Sequence, residues 1–312
     1  MKKSLLLLFL LIGTLGLQAQ DGYRISGKID GVADGELLLM SDETGRPEQM
    51  ATTRITNGAF MFTGKVDAPV AVYITTPDQK VVIPFILENT AVMLNVGDSR
   101  ALVKGGEQQD IFARFNRLTV DLLHLQNQFQ QAYLQAEQAR DKKKLQELTK
   151  QFEEAVTLVQ QKEKELLQQH ADSYAAAYVV AAGARSLELE PLKARYNLLG
   201  ETAKQTVPGR FVASQIEELE QLSVGNEAPD FTVVSQTGDS LSLYPIKSKL
   251  KLLVFWDSNN PKCREDNVTF LDIYQKYHLR GLEIVSISRE ENRQAWLKAI
   301  NQDGMFWKQG LD

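Results

Sequence analysis

The amino-acid sequence predicts a multi-domain α+β protein: an antiparallel β module, then a helical hairpin region, then an α/β domain. Three observations predict this class. Short alternating segments fill the chain to about residue 103, apolar residues recur every three or four positions from 107 to 170, and strand and helix patterns alternate after 225. A length of 312 residues, 43% of them hydrophobic, is enough for two or three domains with buried cores. The expected boundaries are 1–19 (signal peptide), 21–105, 107–222 and 225–312.

Charge and cysteine content exclude several classes of function. The net charge is −5, from 35 basic and 40 acidic residues, so the chain lacks the basic excess of a nucleic-acid-binding protein. One cysteine, Cys263, cannot form a disulfide within the chain, and with three scattered histidines it matches no zinc-site spacing. The histidines are His124, His170 and His278. We therefore expect no metal site, no cofactor and no nucleic-acid partner.

The first twenty residues have the order of a secretory signal peptide. Residues 1–4 form a short basic start, residues 5–17 are an apolar run, and Ala19 offers a small residue for cleavage before Gln20. The apolar run is shorter than the ~20 residues of a membrane span, and no cysteine follows it to carry a lipid anchor. We expect export to the periplasm or cell envelope, with no transmembrane segment after cleavage. A retained membrane anchor is the alternative.

Residues 21–105 alternate between apolar and polar positions in short segments, as half-buried strands do. Asn57-Gly58 predicts a tight hairpin, because both central residues of such a turn need a positive φ. The absence of helix patterns between the segments predicts a small antiparallel sandwich or barrel. The region contains no histidine and no cysteine, so we expect a structural or partner-binding module. The predicted strands are 23–29, 36–40, 51–55, 59–62, 70–75, 81–87 and 91–96.

Residues 107–170 have helical periodicity in two series, with a charged break at 140–144 between them. The alternating spacing of three and four is typical of a coiled-coil seam. It predicts a helical hairpin whose arms are each about 40 Å long. One interpretation of the hairpin is a dimerisation or partner-docking arm, and the other is a spacer that folds on itself. The seam residues are Ile111, Phe115, Leu118, Leu122, Leu125, Phe129, Ala132 and Ala136, then Leu145, Leu148, Phe152, Ala155 and Val159.

After residue 225 the pattern changes to strands that alternate with helices. The run 251–256 is apolar almost throughout, which predicts a strand at the centre of a sheet covered on both faces. A βαβα order also implies parallel pairing and a right-handed crossover. The predicted strands are 231–234, 240–243, 251–256 and 282–288, and the predicted helices are 261–277 and 290–301.

Several motifs in this region form a recognisable set. They are Gly225-x-x-Ala228-Pro229-Asp230-Phe231, Gly238, Leu243, Phe255-Trp256, Pro261-x-Cys263-Arg264-x-Asp266, the strand 281–288 and Trp296. With them the chain resembles the thioredoxin-like superfamily, in particular the exported TlpA/ResA-type thiol–disulfide oxidoreductases and the related AhpC/TSA proteins. The β module and the helical region also look like the amino-terminal half of many exported members. The resemblance implies cell redox homeostasis as the function, and a protein thiol, protein disulfide or redox donor as the partner.

Two features depart from the family pattern. The family opens the helix with Trp-Cys-x-x-Cys, whose first cysteine is the exposed nucleophile. Here Asn260 occupies the nucleophile position and only Cys263 remains. The chain also stops at Asp312, before the family's later strand and final helix, so we expect a truncated domain with an open sheet edge. We therefore expect a partial thioredoxin-like α/β domain over 225–312.

The chemistry available to one thiol is limited, because disulfide exchange begins with thiolate attack and is completed by a second thiol. Asn260 cannot attack, so the chain is expected not to be a competent disulfide reductase. Asn260 and Pro261 suit the cap and the first position of a helix. Cys263 then lies in the first turn, where the helix dipole favours its thiolate. The adjacent Lys262 and Arg264 act in the same direction, whereas the burial usual for the family's second cysteine opposes it.

Three functions are open at this point. The first is a partner-binding envelope protein without thiol turnover, and the second is one-thiol chemistry at Cys263, as a mixed disulfide or as a peroxidase. In peroxiredoxin-like relatives the reactive cysteine corresponds to this position, but Trp256 and Asn260 stand where those proteins have proline and threonine. The third is an oxidoreductase by descent whose activity is lost in this copy. A dimer through the helical hairpin or through Cys263 is a further candidate.

Overall fold

The computed structural model describes residues 22–41, 43, 47–97 and 101–312. The predicted signal peptide lies outside the described residues. The chain divides into two compact units between Glu220 and Gln221. The boundary expected near residue 106 falls inside the first unit and stays a prediction. None of the helices that the structure describes is long and apolar enough to cross a membrane.

The first unit contains eight strands followed by six α-helices within its described residues. The strands are β1 (Tyr23–Ile29), β2 (Gly35–Ser41), β3 (Glu48–Ile55), β4 (Ala59–Gly64), β5 (Val70–Thr75), β6 (Val82–Leu87), β7 (Ala91–Val96) and β8 (Ala101–Lys104). The helices are α1 (Glu107–Gln138), α2 (Lys142–Gln169), α3 (Tyr174–Gly183), α4 (Leu189–Tyr196), α5 (Glu201–Lys204) and α6 (Val207–Gln221, which ends at the unit boundary). All seven predicted strands are confirmed, whereas the short strand β8 was not predicted.

The strands form two four-stranded sheets, with orders β4-β1-β7-β8 and β3-β2-β5-β6, which share one apolar core. The core draws on alternate residues of both sheets, as the period of two predicts, and includes Ile25, Leu37, Leu39, Ile74, Phe85 and Leu94. β1 and β7 pair in parallel, so the prediction of a wholly antiparallel module is wrong for this pair. Parallel pairing is available here because the chain passes through the other sheet between these two strands.

The Asn57-Gly58 turn has the predicted backbone but a different role. Asn57 has φ 51° and Gly58 has φ 78°, and one isolated bridge joins Thr56 to Ala59. The predicted tight turn is present, because Thr56 and Ala59 exchange two backbone hydrogen bonds, but the strands β3 and β4 that it connects continue into different sheets. The turn instead carries the chain from one sheet to the other.

Helices α1 and α2 form the predicted hairpin, with lengths of about 48 Å and 42 Å at 1.5 Å per residue. Arg140, with φ 56°, and Asp141, which caps α2 by accepting from Lys144 N, make the turn at the charged break. Phe129 and Phe152 stack across the seam with ring centroids 4.5 Å apart. A dimerising or docking role for the hairpin stays a prediction.

The sandwich packs on the helices through polar contacts at strand edges. Gln109 of α1 accepts a hydrogen bond from Ile86 N at 2.9 Å, and Ala71 N donates to the Tyr174 hydroxyl at 2.9 Å. The same hydroxyl donates to Glu43 at 2.5 Å, and burial raises the pKa of Tyr174. The bonds from Ile86 N and Ala71 N satisfy backbone N–H groups of the strands, so the β module and the helices form one unit.

The second unit is an α/β structure with a five-stranded sheet of order β10-β9-β13-β12-β11. β11, β12 and β13 are parallel, as the βαβ order predicts. Trp256, Trp296 and Trp307 are buried between the helices and one face of this sheet. The elements are β9 (Thr232–Ser235), β10 (Ser240–Ser242), β11 (Leu250–Trp256), α7 (Pro261–Tyr277), β12 (Leu282–Ser288), α8 (Arg293–Gln302) and β13 (Lys308–Leu311).

The apolar strand β11 is an edge strand, so the prediction that it lies at the centre of the sheet is wrong. Each face of β11 contacts a core. Trp256 belongs to the core on the helix side, and Leu253 packs against the core on the opposite side. The covering of the two faces is incomplete, because Trp256 is the one buried residue of the strand and Phe255 is 72% exposed.

Candidate functional site at the start of helix α7

The segment between β11 and α7 forms a tight turn that ends in a capped helix. Asn259 N donates to Asp257 Oδ1 at 2.7 Å, and Asn260 N donates to Asp257 O at 3.1 Å. Asn260 is the N-cap of α7, and its side-chain oxygen accepts from Lys262 N at 3.0 Å. Pro261 follows at the start of the helix, where its missing N–H costs no hydrogen bond. The predicted cap is therefore present.

Cys263 lies in the first turn of α7 and is a free, half-buried thiol. Its side chain packs against the core that contains Trp256 at the end of β11. The thiol is thus neither fully exposed nor sealed from solvent.

The two cations beside the thiol are both paired with carboxylates. Lys262 contacts Asp266 at 2.8 Å, one helical turn away, and the pKa of Lys262 is raised by this hydrogen bond. Arg264 makes a two-pronged contact with Asp303, with Nε 2.6 Å and Nη2 2.7 Å from the carboxylate oxygens. The sequence predicted both cations as free charges beside Cys263. Pairing reduces the field that they offer to the thiol.

Asp303 is the centre of this network. Burial alone would raise the pKa of Asp303, but hydrogen bonds from Arg264 and Asn267 outweigh it, and the pKa lies below its usual value. Asn267 is fully buried and donates to Asp303 at 2.8 Å. Sequence reasoning missed Asp303 and Asn267 because the contact joins α7 to the end of α8, far along the chain.

Glu290 was also missed. The helix pattern predicted it as the first residue of α8, but the helix begins at Arg293 behind the cap Asn292, so Glu290 lies in the preceding loop. Its side chain is buried and accepts a hydrogen bond from Ser258 N. Ser258 O in turn accepts from Arg264 Nη1 at 3.4 Å. No local signal marks this contact.

The remaining predicted site residues lie in one continuous stretch of chain. Trp256 is buried at the end of β11, and its indole N–H has no partner among the described residues.

The histidines do not join this site as metal ligands. His278 lies at the other end of α7, with Nδ1 3.2 Å from Leu282 O. Within the described residues no group of three metal-ligating side chains converges. The chemistry that this arrangement offers is that of a single thiol beside a capped helix.

Two protein families match the chain. Residues 224–308 match the AhpC/TSA family, and residues 23–112 match a domain of unknown function, DUF4369. The first match covers the second compact unit, and the other covers the β sandwich with the beginning of α1.

Individual relatives match stretches of about the same length as the AhpC/TSA match. The thiol-disulfide oxidoreductase ResA of Bacillus anthracis is 29% identical over 93 residues, which is 30% of this chain and 54% of the relative. The chloroplastic peroxiredoxin Q of Triticum aestivum is 33% identical over 85 residues, 27% of this chain and 39% of the relative. The chain thus spans about half the length of the ResA relatives that it matches.

Among solved structures, the thioredoxin domain of a thiol-disulfide oxidoreductase from Bacteroides vulgatus is 31% identical. That match covers 28% of this chain and 64% of the other, with a TM-score of 0.28. The predicted fold class, an α+β chain that ends in an α/β domain, is confirmed by the elements and sheets of the two compact units. Residues 224–308 are therefore similar to the AhpC/TSA family, and ResA-type thiol-disulfide oxidoreductases are among the relatives that this chain matches.

Proposed function

We propose that this chain is an exported thioredoxin-like protein that binds a protein partner at the start of α7 and does not turn over disulfides. The observation that carries the proposal is the role of Asn260. By resemblance it occupies the position of the family's nucleophilic cysteine, and its side chain caps the helix through Lys262 N at 3.0 Å. An amide that serves as a helix cap replaces the attacking thiol.

The electron balance supports the same conclusion. A dithiol reductase transfers two electrons, because its first thiolate displaces one sulfur of the substrate and its second thiol displaces the enzyme's own mixed disulfide. Cys263 is the only cysteine among these 312 residues. It would form a mixed disulfide with release of one substrate thiol, and only an external thiol would then release the partner.

The test restores the missing thiol. We expect Asn260→Cys, equilibrated in glutathione buffers, to form an internal disulfide with Cys263, detected as loss of both alkylatable thiols by mass spectrometry. The wild type should show one alkylatable thiol or one mixed disulfide throughout. Asn260→Ser, which keeps a capping oxygen but adds no thiol, is the matched control. If Asn260→Cys folds but never forms the disulfide, Asn260 does not occupy the position of the family's nucleophilic cysteine.

A second candidate is peroxide reduction by the same thiol, supported by the similarity to peroxiredoxin Q. The Cys263 thiolate would attack one oxygen of hydrogen peroxide, forming a sulfenic acid and releasing water after proton transfer. An external thiol would then condense with the sulfenic acid, and a second one would release the disulfide. Peroxide consumption that is lost in Cys263→Ser would favour this candidate. Its absence would leave the partner-binding proposal.

Export and assembly are part of the proposal. The basic and apolar order of residues 1–19 supports cleavage before Gln20, which amino-terminal sequencing of protein recovered from a bacterial envelope fraction would test. The partner is expected to be a protein thiol, a protein disulfide or a redox donor. A dimer through Cys263 would disappear under reducing conditions and in Cys263→Ser, whereas a dimer through the helical hairpin would survive both.

A further inference from the structure

We infer that Glu290 is a positioning residue that holds the start of α7 and thereby sets how far the Cys263 thiol is exposed. The inference rests on the proposed function only in taking Cys263 as the reactive group of the site. It concerns a contact between the loop after β12 and the loop before α7, two segments that adjoin in space but lie about 30 residues apart in sequence.

The Ser258 peptide is held on both of its sides. Its N–H donates to Glu290 Oε1, and its carbonyl accepts from Arg264 Nη1 at 3.4 Å. Ser258 is 9% exposed and Glu290 is 8% exposed, so the bond to the carboxylate is shielded from water. A buried backbone N–H paired with a carboxylate is a charge-assisted hydrogen bond, and its loss leaves the donor without a partner.

The other hydrogen bonds of the turn are internal to it. Asn259 N and Asn260 N both bond to Asp257, and Lys262 N bonds to Asn260. Such bonds move with the segment and do not fix it to the rest of the unit. Among the described side-chain hydrogen bonds, the link from the turn before α7 to the β12–α8 loop is made by Glu290.

Arg264 attaches the start of α7 to the rest of the unit a second time, through Asp303. Its guanidinium bonds to Asp303 on one side and interacts electrostatically with Glu290 on the other. Glu290 Oε2 is buried and has no hydrogen-bond partner among the described residues. The Glu290 carboxylate therefore holds one end of the segment that includes Cys263, through Ser258 N, and Asp303 holds the other end, through Arg264. Removal of the Glu290 carboxylate should let this segment open locally.

The test measures the alkylation rate of Cys263 in the folded protein. For Glu290→Ala we expect a rise of about five- to thirty-fold, the factor that corresponds to one lost buried hydrogen bond. Glu290→Gln keeps an oxygen that accepts from Ser258 N, so its rate should lie within about twofold of the wild type. Glu291→Ala, the same change at the exposed neighbouring residue, is the matched control and should leave the rate unchanged.

A second measurement separates positioning from general destabilisation. Local opening exposes little surface, so the faster rate should not depend on urea below the unfolding transition. Leu243→Ala, a core change on the other face of the sheet, should destabilise the unit without this urea-independent rise. If Glu290→Ala does not fold, Glu290→Asp, whose shorter side chain withdraws the acceptor from Ser258 N, should give an intermediate rate. A folded Glu290→Ala, or in its absence a folded Glu290→Asp, that alkylates at the wild-type rate would overturn the inference, even where the wild type proves inactive toward disulfides.

Discussion

Asp303 offers a direct test of the polar network that ties α7 to α8. Its carboxylate accepts from Arg264 at 2.6 and 2.7 Å and from Asn267 at 2.8 Å. Asp303→Asn keeps the size of the side chain but turns one acceptor oxygen into a donor that faces these donors. Its side chain is 13% exposed, so water cannot fully replace the lost interaction.

The expected magnitude follows from the burial of the partners. Hydrogen bonds to charged groups contribute about 1.5–3 kcal/mol each, but the donors here are not additive. The Arg264 side chain is 30% exposed and can turn toward water, whereas Asn267 is 1% exposed and cannot. We expect Asp303→Asn to lower the free energy of unfolding of this unit by about 2–3 kcal/mol.

The assay can isolate the second unit, because all three tryptophans of the chain lie in its core. Urea unfolding followed by tryptophan fluorescence therefore reports on this unit alone. Asp266→Asn is the matched control, since it breaks an exposed pair with Lys262 and should change stability by less than about 0.5 kcal/mol. Equal unfolding midpoints for Asp303→Asn and the wild type would refute the reasoning.

The difference in stability between Asp303→Asn and the wild type should also depend on pH. The folded-state pKa of Asp303 is lowered, so its contribution to stability is fully present above the unfolded-state pKa of about 3.9. That contribution is lost as the pH falls through the folded-state pKa. The difference in unfolding free energy between wild type and Asp303→Asn should therefore be constant from neutral pH down to about pH 5 and shrink below about pH 4.

Two further predictions concern the hydrogen bonds of individual side chains, Asn260 and Tyr174. Asn260→Ala removes the side chain that caps α7 through Lys262 N and should lower the free energy of unfolding, measured by tryptophan fluorescence, by about 1 kcal/mol. Asn260→Asp keeps a capping oxygen and should retain most of that stability. Equal losses in both would mean that the cap is not the cause. Tyr174→Phe leaves the buried Ala71 N–H without its partner and removes the bond to Glu43. It should lower the stability of the first unit by about 1–3 kcal/mol by circular dichroism and leave the tryptophan transition unchanged.

Local patterns were sufficient to predict most individual elements. The strands at 23–29, 70–75 and 282–288 and the helix at 261–277 agree with the structure at both ends. The strand 23–29 alternates, the strands 70–75 and 282–288 are rich in branched apolar residues, and the helix follows a capping residue and begins with proline. All of these are signals carried by neighbouring residues. β13 was missed because Lys308–Leu311 has neither alternation nor a branched apolar run, and it becomes a strand only by pairing with β12 and β9.

What could not be predicted depends on contacts between distant segments. The tight turn at Asn57 was predicted correctly, but the divergence of β3 and β4 into different sheets was not, because it depends on their pairing with β2 and β1. In the candidate site the contiguous residues from Trp256 to Arg264 were identified from sequence. Glu290 and Asp303 were not, since only the packing of α8 brings them to the turn.

The measurement that tests the central claim most directly counts the thiols that one chain releases from an excess of a peptide disulfide when no external thiol or other reductant is present. We predict at most one thiol released per chain, with one peptide held as a mixed disulfide at Cys263. Release of two thiols per chain with no peptide held, lost in Cys263→Ser, would contradict the claim.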